Sequence, residues 1–158
     1  MATIAIATFM NAYNRDNFFP DTSIGYLVRA IHQLGYARLD AACATEGLTG
    51  IQWSALIAIH FGQTNSAALA RDLAHDKGAM TRMVDVLEAK GLVQRDRDDA
   101  DRRLVNLSLT DQGRAVAMRC RDTVIDLWNA VLADWSTEET ACLIAQLQKL
   151  RRTLEVAA

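Results

Sequence analysis

Between residues 76 and 91 the chain carries cationic and hydroxyl side chains at helical spacing. Lys77, Gly78, Thr81 and Arg82 lie at three- and four-residue steps, so a helix would place them on one face. Ammonium, guanidinium and hydroxyl groups donate hydrogen bonds to phosphate oxygens and to base edges of duplex DNA. A small polar helix face also fits the width of the major groove, so the pattern predicts recognition of double-stranded DNA.

A second cationic group follows this helix. Arg102 and Arg103 stand at the end of a charged segment, residues 94–103, which separates a short apolar run from an alternating one. Two strands joined by a polar loop form a hairpin, and this hairpin would carry both arginines at its far end. An arginine on a thin hairpin can enter the minor groove, where the potential of DNA is most negative. The apolar residues of the two strands are Leu92, Val93, Val105, Leu107 and Leu109.

The helix that positions the first group has a predicted start and end. Asp76 can accept the free amide hydrogens of the first turn, and Gly91 stops the helix after Lys90. Apolar residues at three- and four-residue steps form a face opposite the polar side, which also includes Asp85. These apolar residues are Met80, Met83, Val84 and Leu87.

Two shorter helices are predicted before it. Thr49 and Gln52 have the spacing of a capping box, which would start a helix that runs to about residue 61. Asn65 would cap the next helix, residues 66–75, as the first helix of a helix-turn-helix. Asn65 and Ser66 could also donate a hydrogen bond to a phosphate, although helix capping alone explains both.

Three outer helices complete the chain. Thr22 or Ser23 would cap a long helix to about residue 45, with a buried apolar stripe. Thr110 would cap a helix of about two dozen residues, and a capping box starts the last helix at residue 136. The stripe of the first helix is Ile24, Leu27, Val28, Ile31, Leu34 and Leu39, and the last helix carries Leu143, Leu147, Leu150 and Leu154.

These outer helices are too apolar to be satisfied by a small DNA-binding lobe, and they predict a two-fold homodimer interface. A dimer would hold two recognition helices about one DNA turn apart (~34 Å), which implies a near-palindromic site. The predicted fold class is therefore mainly α with a small β-hairpin wing, a winged helix-turn-helix plus a helical dimerisation region. Within a single domain, residues 49–110 would form the DNA-binding lobe, and residues 1–48 and 111–158 the dimerisation region.

The charge balance excludes an indiscriminate nucleic-acid binder, because the 158 residues carry a net charge of -2. Between residues 71 and 103 eight basic residues balance eight acidic ones, so DNA affinity must depend on where the charges point. Asp96, Asp98 and Asp99 are expected to accept local hydrogen bonds at the base and turn of the wing, which leaves the arginines to project.

The remaining reactive residues indicate neither catalysis nor a metal site. Cys43, Cys120 and Cys142 are widely spaced and odd in number, which favours a reducing cytoplasm and buried thiols that act as small apolar groups. The three histidines share no metal-ligand spacing, and no nucleophile, phosphate loop or carboxylate pair stands in a motif. No secretory signal or membrane span is expected. We therefore predict a protein that is not an enzyme and needs no cofactor.

The ordered set of motifs resembles the multiple-antibiotic-resistance regulator (MarR) family of bacterial transcription factors, from about Gly25 to Leu154. The resemblance implies a homodimeric regulator, most often a repressor, in which Arg103 enters the minor groove and Asp101 orients it. The residues that carry the resemblance are Leu69-Ala70, Thr81-Arg82, Val84-Asp85, Leu87-Glu88, Lys90-Gly91-Leu92-Val93, Asp101-Arg102-Arg103, Leu109-Thr110 and Gly113.

The resemblance also implies a small-molecule effector, such as an aromatic acid or a phenol. In the family such ligands bind between the dimer helices and the DNA-binding lobe and change the spacing of the recognition helices. Candidate lining residues here are Arg29, His32, Tyr36 and Trp53, which are polar or aromatic groups among apolar ones. Ordinary core and interface packing would explain the same four residues.

The chain departs from the family pattern at two places. Gly78 and Ala79 stand where small hydroxyl residues are usual, and Asp99 stands where the wing often has a proline. Two alternative functions therefore stay open. One is a winged-helix protein-interaction module that has lost DNA binding, and the other is a thiol-based regulator that releases DNA on oxidation.

Overall fold

The computed structural model describes residues 13–62, 65–73, 75–97 and 105–157. The chain divides into two compact units, residues 1–37 and 38–158. The described residues form a mainly α-helical fold with one antiparallel two-stranded sheet, which confirms the predicted fold class. In chain order, the elements are α1 (Ile24–Cys43), a 3-10 turn (Ala44–Glu46), α2 (Gly50–His60), α3 (Ser66–Asp72), α4 (Lys77–Ala89), β1 (Val93–Arg97), β2 (Val105–Leu109), α5 (Asp111–Val131) and α6 (Thr137–Ala157).

Residues 13–23 fold back on themselves before α1. The Tyr13 hydroxyl donates to the Thr22 carbonyl oxygen at 3.1 Å and accepts the Ile24 amide at 2.8 Å. Its ring meets the edge of Phe18, with the ring centroids 5.1 Å apart. Ser23 is the residue that starts α1, because its carbonyl oxygen accepts the Leu27 amide at 2.9 Å.

The apolar stripe of α1 is exposed, so the prediction that it is buried is wrong for the single chain. Ile24, Val28, Ile31 and Leu34 keep 47%, 46%, 61% and 67% of their surface exposed, and Cys43 is the one buried residue of the helix. Helical periodicity predicts an apolar face but does not say what covers it. The described residues of one chain do not cover this face.

The seam of α6 is exposed in the same way. Leu143, Leu147 and Leu154 keep 38%, 50% and 61% of their surface exposed. The second half of α5 leads into this region with Trp128 and Val131, which are also exposed. Both helices therefore present apolar surface that the described part of their own chain leaves uncovered.

The core of the second unit lies between α2, α3, α4, the sheet and the first half of α5. In it α3 packs on α4, and α2 contacts both α5 and β2. The largest fully buried side chains include Leu56, Leu69, Met80 and Leu87. Burial of each such side chain contributes about 1.5 to 3 kcal/mol, so these few residues hold the unit together.

Helix starts agree with the capping residues in the sequence. Thr49 and Gln52 form the predicted capping box, and Ser136 forms a second one with Glu139. The side chains of Asn65, Asp76 and Thr110 each accept an amide hydrogen from the first turn of the helix that follows.

Element ends agree less well. Helix α3 ends at Asp72, three residues before its predicted end, and β1 runs to Arg97 through residues predicted as loop. The two strands pair from Val93 with Leu109 to Arg97 with Val105. Backbone groups make the hydrogen bonds of this ladder, so a strand can form without apolar side chains, which is why the hydrophobic pattern missed four of the five residues of β1.

Two glycines fix the path from α4 into the sheet and α5. Gly91 adopts φ +70°, a left-handed conformation that favours glycine and ends α4 as predicted. A Cβ on Gly113 would lie 1.9 Å from the Leu92 carbonyl oxygen, so only glycine lets α5 approach the start of β1 this closely.

Candidate nucleic-acid interface

Helix α4 divides into a packed face and an exposed face, as its sequence predicts. Met80, Val84 and Leu87 have no exposed surface, because they pack into the core of the second unit. The polar residues on the other side are exposed, which leaves them free for contact with DNA. They are Lys77, Gly78, Thr81, Arg82 and Asp85.

The start of α4 is already occupied by a carboxylate. Asp76 Oδ1 accepts the Ala79 amide at 2.9 Å, and this bond is the main reason that the pKa of Asp76 lies below its usual value. The amides of Gly78 and Lys77 also stabilise the ionised carboxylate. A phosphate at this helix end would therefore be contacted by the Lys77 side chain rather than by free amides.

Thr81 is exposed, but its hydroxyl hydrogen is already used. Its Oγ1 donates to the Lys77 carbonyl oxygen at 2.9 Å, one turn back along α4. A phosphate only accepts hydrogen bonds, so Thr81 could donate to one only by breaking this bond. Its methyl group and its free lone pairs remain available for a thymine methyl or a base amino group.

Arg82 lies back along the helix toward Gly78. A Cβ on Gly78 would stand in ordinary contact with Arg82 Nη1, at 3.6 Å, and in tight contact with Asp76 Oδ1, at 3.2 Å. Arg82 forms an ion pair with neither Asp85 nor Asp72. Asp85 pairs with Arg95 and Asp72 pairs with Arg151.

At the start of α3 the cap explains most of the polar chemistry. The Asn65 side chain is exposed, and its Oδ1 accepts the Ala68 amide at 2.8 Å. Ser66 is half-buried at the first position of the helix. Asn65 keeps its side-chain NH2 group for a phosphate, since an amide side chain can donate while its oxygen accepts.

The structure describes the base of the wing but not its tip. Asp101, Arg102 and Arg103, three of the predicted DNA-binding residues, lie outside the described residues, as do Asp98 and Asp99. Asp96 is held by side chains rather than by the backbone hydrogens expected of it. It accepts from Ser108 Oγ at 3.1 Å and from Gln94 Nε2 at 3.4 Å.

Most acids of this region are paired away from the cations of the exposed face, and the exception is Asp76, whose pKa the nearby charge of Arg82 helps to lower. Arg71, Lys77 and Arg82 form no ion pair within 4 Å among the described residues. The acids between residues 71 and 97 each have a partner, so the charge balance of the sequence conceals unpaired positive groups. The acids are Asp72, with Arg151; Asp76, with the α4 amides; Asp85 and Glu88, with Arg95; and Asp96, with Ser108 and Gln94.

Two residues of this surface were missed by the sequence analysis. Val86 follows Gly78 and Arg82 at four-residue steps, and 43% of its surface is exposed on the same row of α4. Arg95 was treated as part of a polar loop, whereas it lies in β1 and pairs with two acids of α4. The sequence feature that could have predicted this pairing is the acid pair Asp85 and Glu88, which lie three residues apart on one side of the helix just before a tight turn.

The four predicted ligand residues belong to two compact units. In the first unit, His32 and Tyr36 stack at a tilt with their ring centroids 4.5 Å apart, and Arg29 lies three residues before His32 on α1. In the second unit, Trp53 is half-buried and its indole N–H donates to the Ala117 carbonyl oxygen at 3.1 Å. Trp53 therefore has a structural hydrogen bond, whereas the α1 residues share one accessible helix face.

The thiols divide in a way that the sequence did not predict. Cys43 and Cys120 are buried as expected, but Cys142 is exposed on α6. Burial raises the pKa of Cys43 to about 12 and also raises the pKa of Cys120. Both buried thiols are therefore protonated and unreactive near neutral pH. A thiol-based response would depend on Cys142.

No group of three or more His, Cys, Asp or Glu side chains that could hold a metal occurs among residues 13–62, 65–73, 75–97 and 105–157. Over the same described part of the chain, no helix has both the length and the apolar character that crossing a membrane requires.

Known proteins resemble this chain in sequence and in fold. The MarR family model matches residues 46–104. The uncharacterized HTH-type transcriptional regulator YdgJ of Bacillus subtilis is 32% identical over 113 residues, 69% of this chain and 69% of that protein. The multiple antibiotic resistance protein MarR of Escherichia coli is 30% identical over 129 residues, 80% of this chain and 90% of that protein.

Among solved structures, the transcriptional repressor CouR bound to a 23-mer DNA duplex has a TM-score of 0.76 and 25% sequence identity. The match covers 83% of this chain and 94% of that chain.

Proposed function

The chain belongs to the MarR family of winged-helix DNA-binding transcriptional regulators, and from this premise we propose that it is a homodimeric repressor of a near-palindromic site. Each protomer would place α4 in a major groove and its wing in the adjacent minor groove. One observation carries the proposal. The exposed face of α4 presents Lys77 and Arg82, neither of which forms an ion pair within 4 Å among the described residues, while Met80, Val84 and Leu87 on its other face are fully buried.

Dimerisation is supported by the apolar surface of the outer helices. Exposed leucines at the spacing seen in α6 need a partner, since a soluble monomer seldom exposes a long apolar stripe. A second copy of the chain would cover this stripe and set the distance between two recognition helices. Repression is the sign we propose, because the DNA-bound relative CouR is a transcriptional repressor.

For the contacts themselves we propose a role for each exposed residue. Lys77, Ser66 and the NH2 group of Asn65 would contact phosphates. Thr81 and Arg82 would face base edges, and Gly78 on the same face of α4 adds no side chain between them and the DNA. In the wing, Arg103 would enter the minor groove, with Arg102 and Asp101 supporting it.

A small aromatic acid or phenol is the effector class we propose. Its ring would stack on the His32–Tyr36 pair and its anionic group would face Arg29 on the same side of α1. Trp53 lies in the second unit, where its indole N–H is bonded to the Ala117 carbonyl oxygen, so we propose no hydrogen-bonding role for it. Such a ligand releases DNA only if it binds the DNA-incompetent spacing more tightly, by ~1 to 3 kcal/mol in typical couplings.

The experiment that tests the function is selection of bound sequences from random duplexes by the purified protein. We expect a two-fold symmetric site with half-sites about one DNA turn apart, and an affinity that falls steeply with salt. The Arg103→Ala variant should bind that site at least fivefold more weakly, which corresponds to ~1 kcal/mol. Arg152→Ala, on the exposed side of α6, removes the same charge outside the proposed interface and should change little.

Recovery of no preferred sequence, with binding indifferent to salt and to Arg103, would instead favour the protein-interaction module. A selected site without two-fold symmetry would contradict the homodimer arrangement but not DNA binding itself.

A further inference from the structure

The only ion-pair cluster among the described residues that links the sheet to α4 is built around Arg95. Its Nη2 donates to Asp85 Oδ1 at 2.6 Å, and its Nη1 donates to Glu88 Oε2. The Arg95 side chain is 26% exposed, compared with 56% for Asp85 and 41% for Glu88. The guanidinium thus lies between the sheet and the helix, and both carboxylates face outward around it.

Local structure places these three groups together. Asp85 and Glu88 stand three residues apart, so they share one side of α4. The left-handed turn at Gly91 sends the chain back, and β1 then carries Arg95 past the end of the helix to both carboxylates. The hydrogen bond to Asp85 raises the pKa of Arg95, and Glu88 adds to the rise, as expected for a guanidinium held by two anions.

Asp85 lies one helical turn from the residues proposed to contact DNA, and Glu88 lies about two turns from them. Asp85 follows Thr81 by four residues and Arg82 by three. Without a cation beside them, two ionised carboxylates at this place would repel the phosphates that flank a major groove. Arg95 is the cation that the fold supplies, and both outer nitrogens of its guanidinium already bond to carboxylates.

We propose that Arg95 is a positioning residue that keeps Asp85 and Glu88 from repelling DNA, and that it does so without contacting the duplex itself. The inference rests on the proposed DNA-binding function. The alternative is a direct phosphate contact, in which Arg95 would break its ion pairs with the two acids and bind the DNA itself.

Titrations with the selected duplex at several salt concentrations test the inference in the full-length protein. Arg95→Gln leaves two acids unpaired, so we expect affinity to fall at least tenfold at low salt, and the loss should shrink at higher salt because salt screens the repulsion. Adding D85N and E88Q to that variant removes the acids, and we expect the triple variant to recover most of the loss. Arg95→Lys keeps the charge but not the two-pronged geometry, and should lie between wild type and Arg95→Gln.

The D85N/E88Q double variant is the matched control, because it removes the acids while Arg95 stays. We expect the double variant to bind DNA at least as tightly as wild type. It therefore also tests the inference if Arg95→Gln does not fold. A direct phosphate contact by Arg95 predicts instead that the triple variant does not recover the lost affinity, because its missing contact is not restored by removing the acids. Any of three results would overturn the inference. They are a triple variant that does not recover, wild-type affinity in Arg95→Gln, and a tenfold loss of affinity in the double variant.

Wild-type binding is the reference in each titration. Failure of the proposed function would therefore appear as absent wild-type binding, whereas failure of the inference would appear as a wrong order among variants of a protein that binds.

Discussion

The α2–α4 lobe and the outer helices of this chain treat their apolar residues in opposite ways. In the lobe, Leu56, Leu69 and Leu87 have no exposed surface. In α1 and α6, Leu34 and Leu154 keep 67% and 61% of theirs exposed. Similar residues at similar helical spacing are core in one region and surface in the other.

The difference indicates what each region needs in order to be complete. The core of the lobe is covered by elements of its own chain, so the packing of that core holds α4 and its exposed face in place. The outer helices have apolar faces that their own chain leaves open, and we attribute those faces to a second copy. Three changes would break or sharpen this contrast.

The largest effect is expected in α6. Leu147→Asp places a charge on the exposed seam, which a dimer would have to bury, so the protein should become monomeric at micromolar concentration. Operator affinity should then fall at least a hundredfold, because one protomer reaches only one half-site. Sedimentation and DNA titration measure the two effects. Gln148→Asp puts the same charge on the neighbouring residue off the seam and should stay dimeric, and a dimeric Leu147→Asp would refute the assignment of this face.

An intermediate effect is expected in the lobe. Leu87→Ala removes a fully buried side chain of α4 and should lower the free energy of unfolding by about 2 to 5 kcal/mol. Val86→Ala, on the exposed side of the same helix, should cost less than about 0.5 kcal/mol. Urea unfolding of both variants gives the comparison. Equal losses would mean that α4 does not divide into a packed face and a free face.

The smallest effect concerns thiol reactivity. Raised pKa values keep Cys43 and Cys120 protonated near neutral pH, so thiolate, and with it alkylation, should appear at these sites only at far higher pH or after unfolding. Exposed Cys142 should react with iodoacetamide at least tenfold faster in the native protein. Mass spectrometry of labelled peptides measures the rates, with Cys142→Ser as the control that should remain unlabelled. Fast native labelling of Cys43 would break the contrast and revive a thiol sensor that acts through the core.

Local signals in the sequence predicted local structure well. Capping residues gave the helix starts, because a side chain that accepts first-turn amides acts within three residues of itself. Hydrophobic periodicity also predicted which face of α4 packs, since Met80 and Val84 are both fully buried. On α1 the same periodicity predicted an apolar face but not its burial, because the described residues of the chain leave this face exposed.

Ion pairs between residues far apart in the sequence could not be predicted in this way. The pairing of Arg95 with Asp85 joins a strand to a helix, and the pairing of Asp72 with Arg151 joins residues 79 positions apart. The short bond from Thr81 to Lys77 was open to prediction, but it competes with solvent and DNA for the same hydroxyl, and the sequence does not say which partner wins.

By itself the sequence determined the order of the elements, the capping residues and the polar face of α4, because each depends on interactions across a few residues. Only the tertiary structure decided which charges on that face remain unpaired. Ion pairs depend on side chains that meet after the chain has turned, as Arg95 meets Glu88 across the bend at Gly91. The charges of residues 71–103 sum to zero along the sequence, whereas on the folded surface Lys77 and Arg82 are exposed and form no ion pair among the described residues.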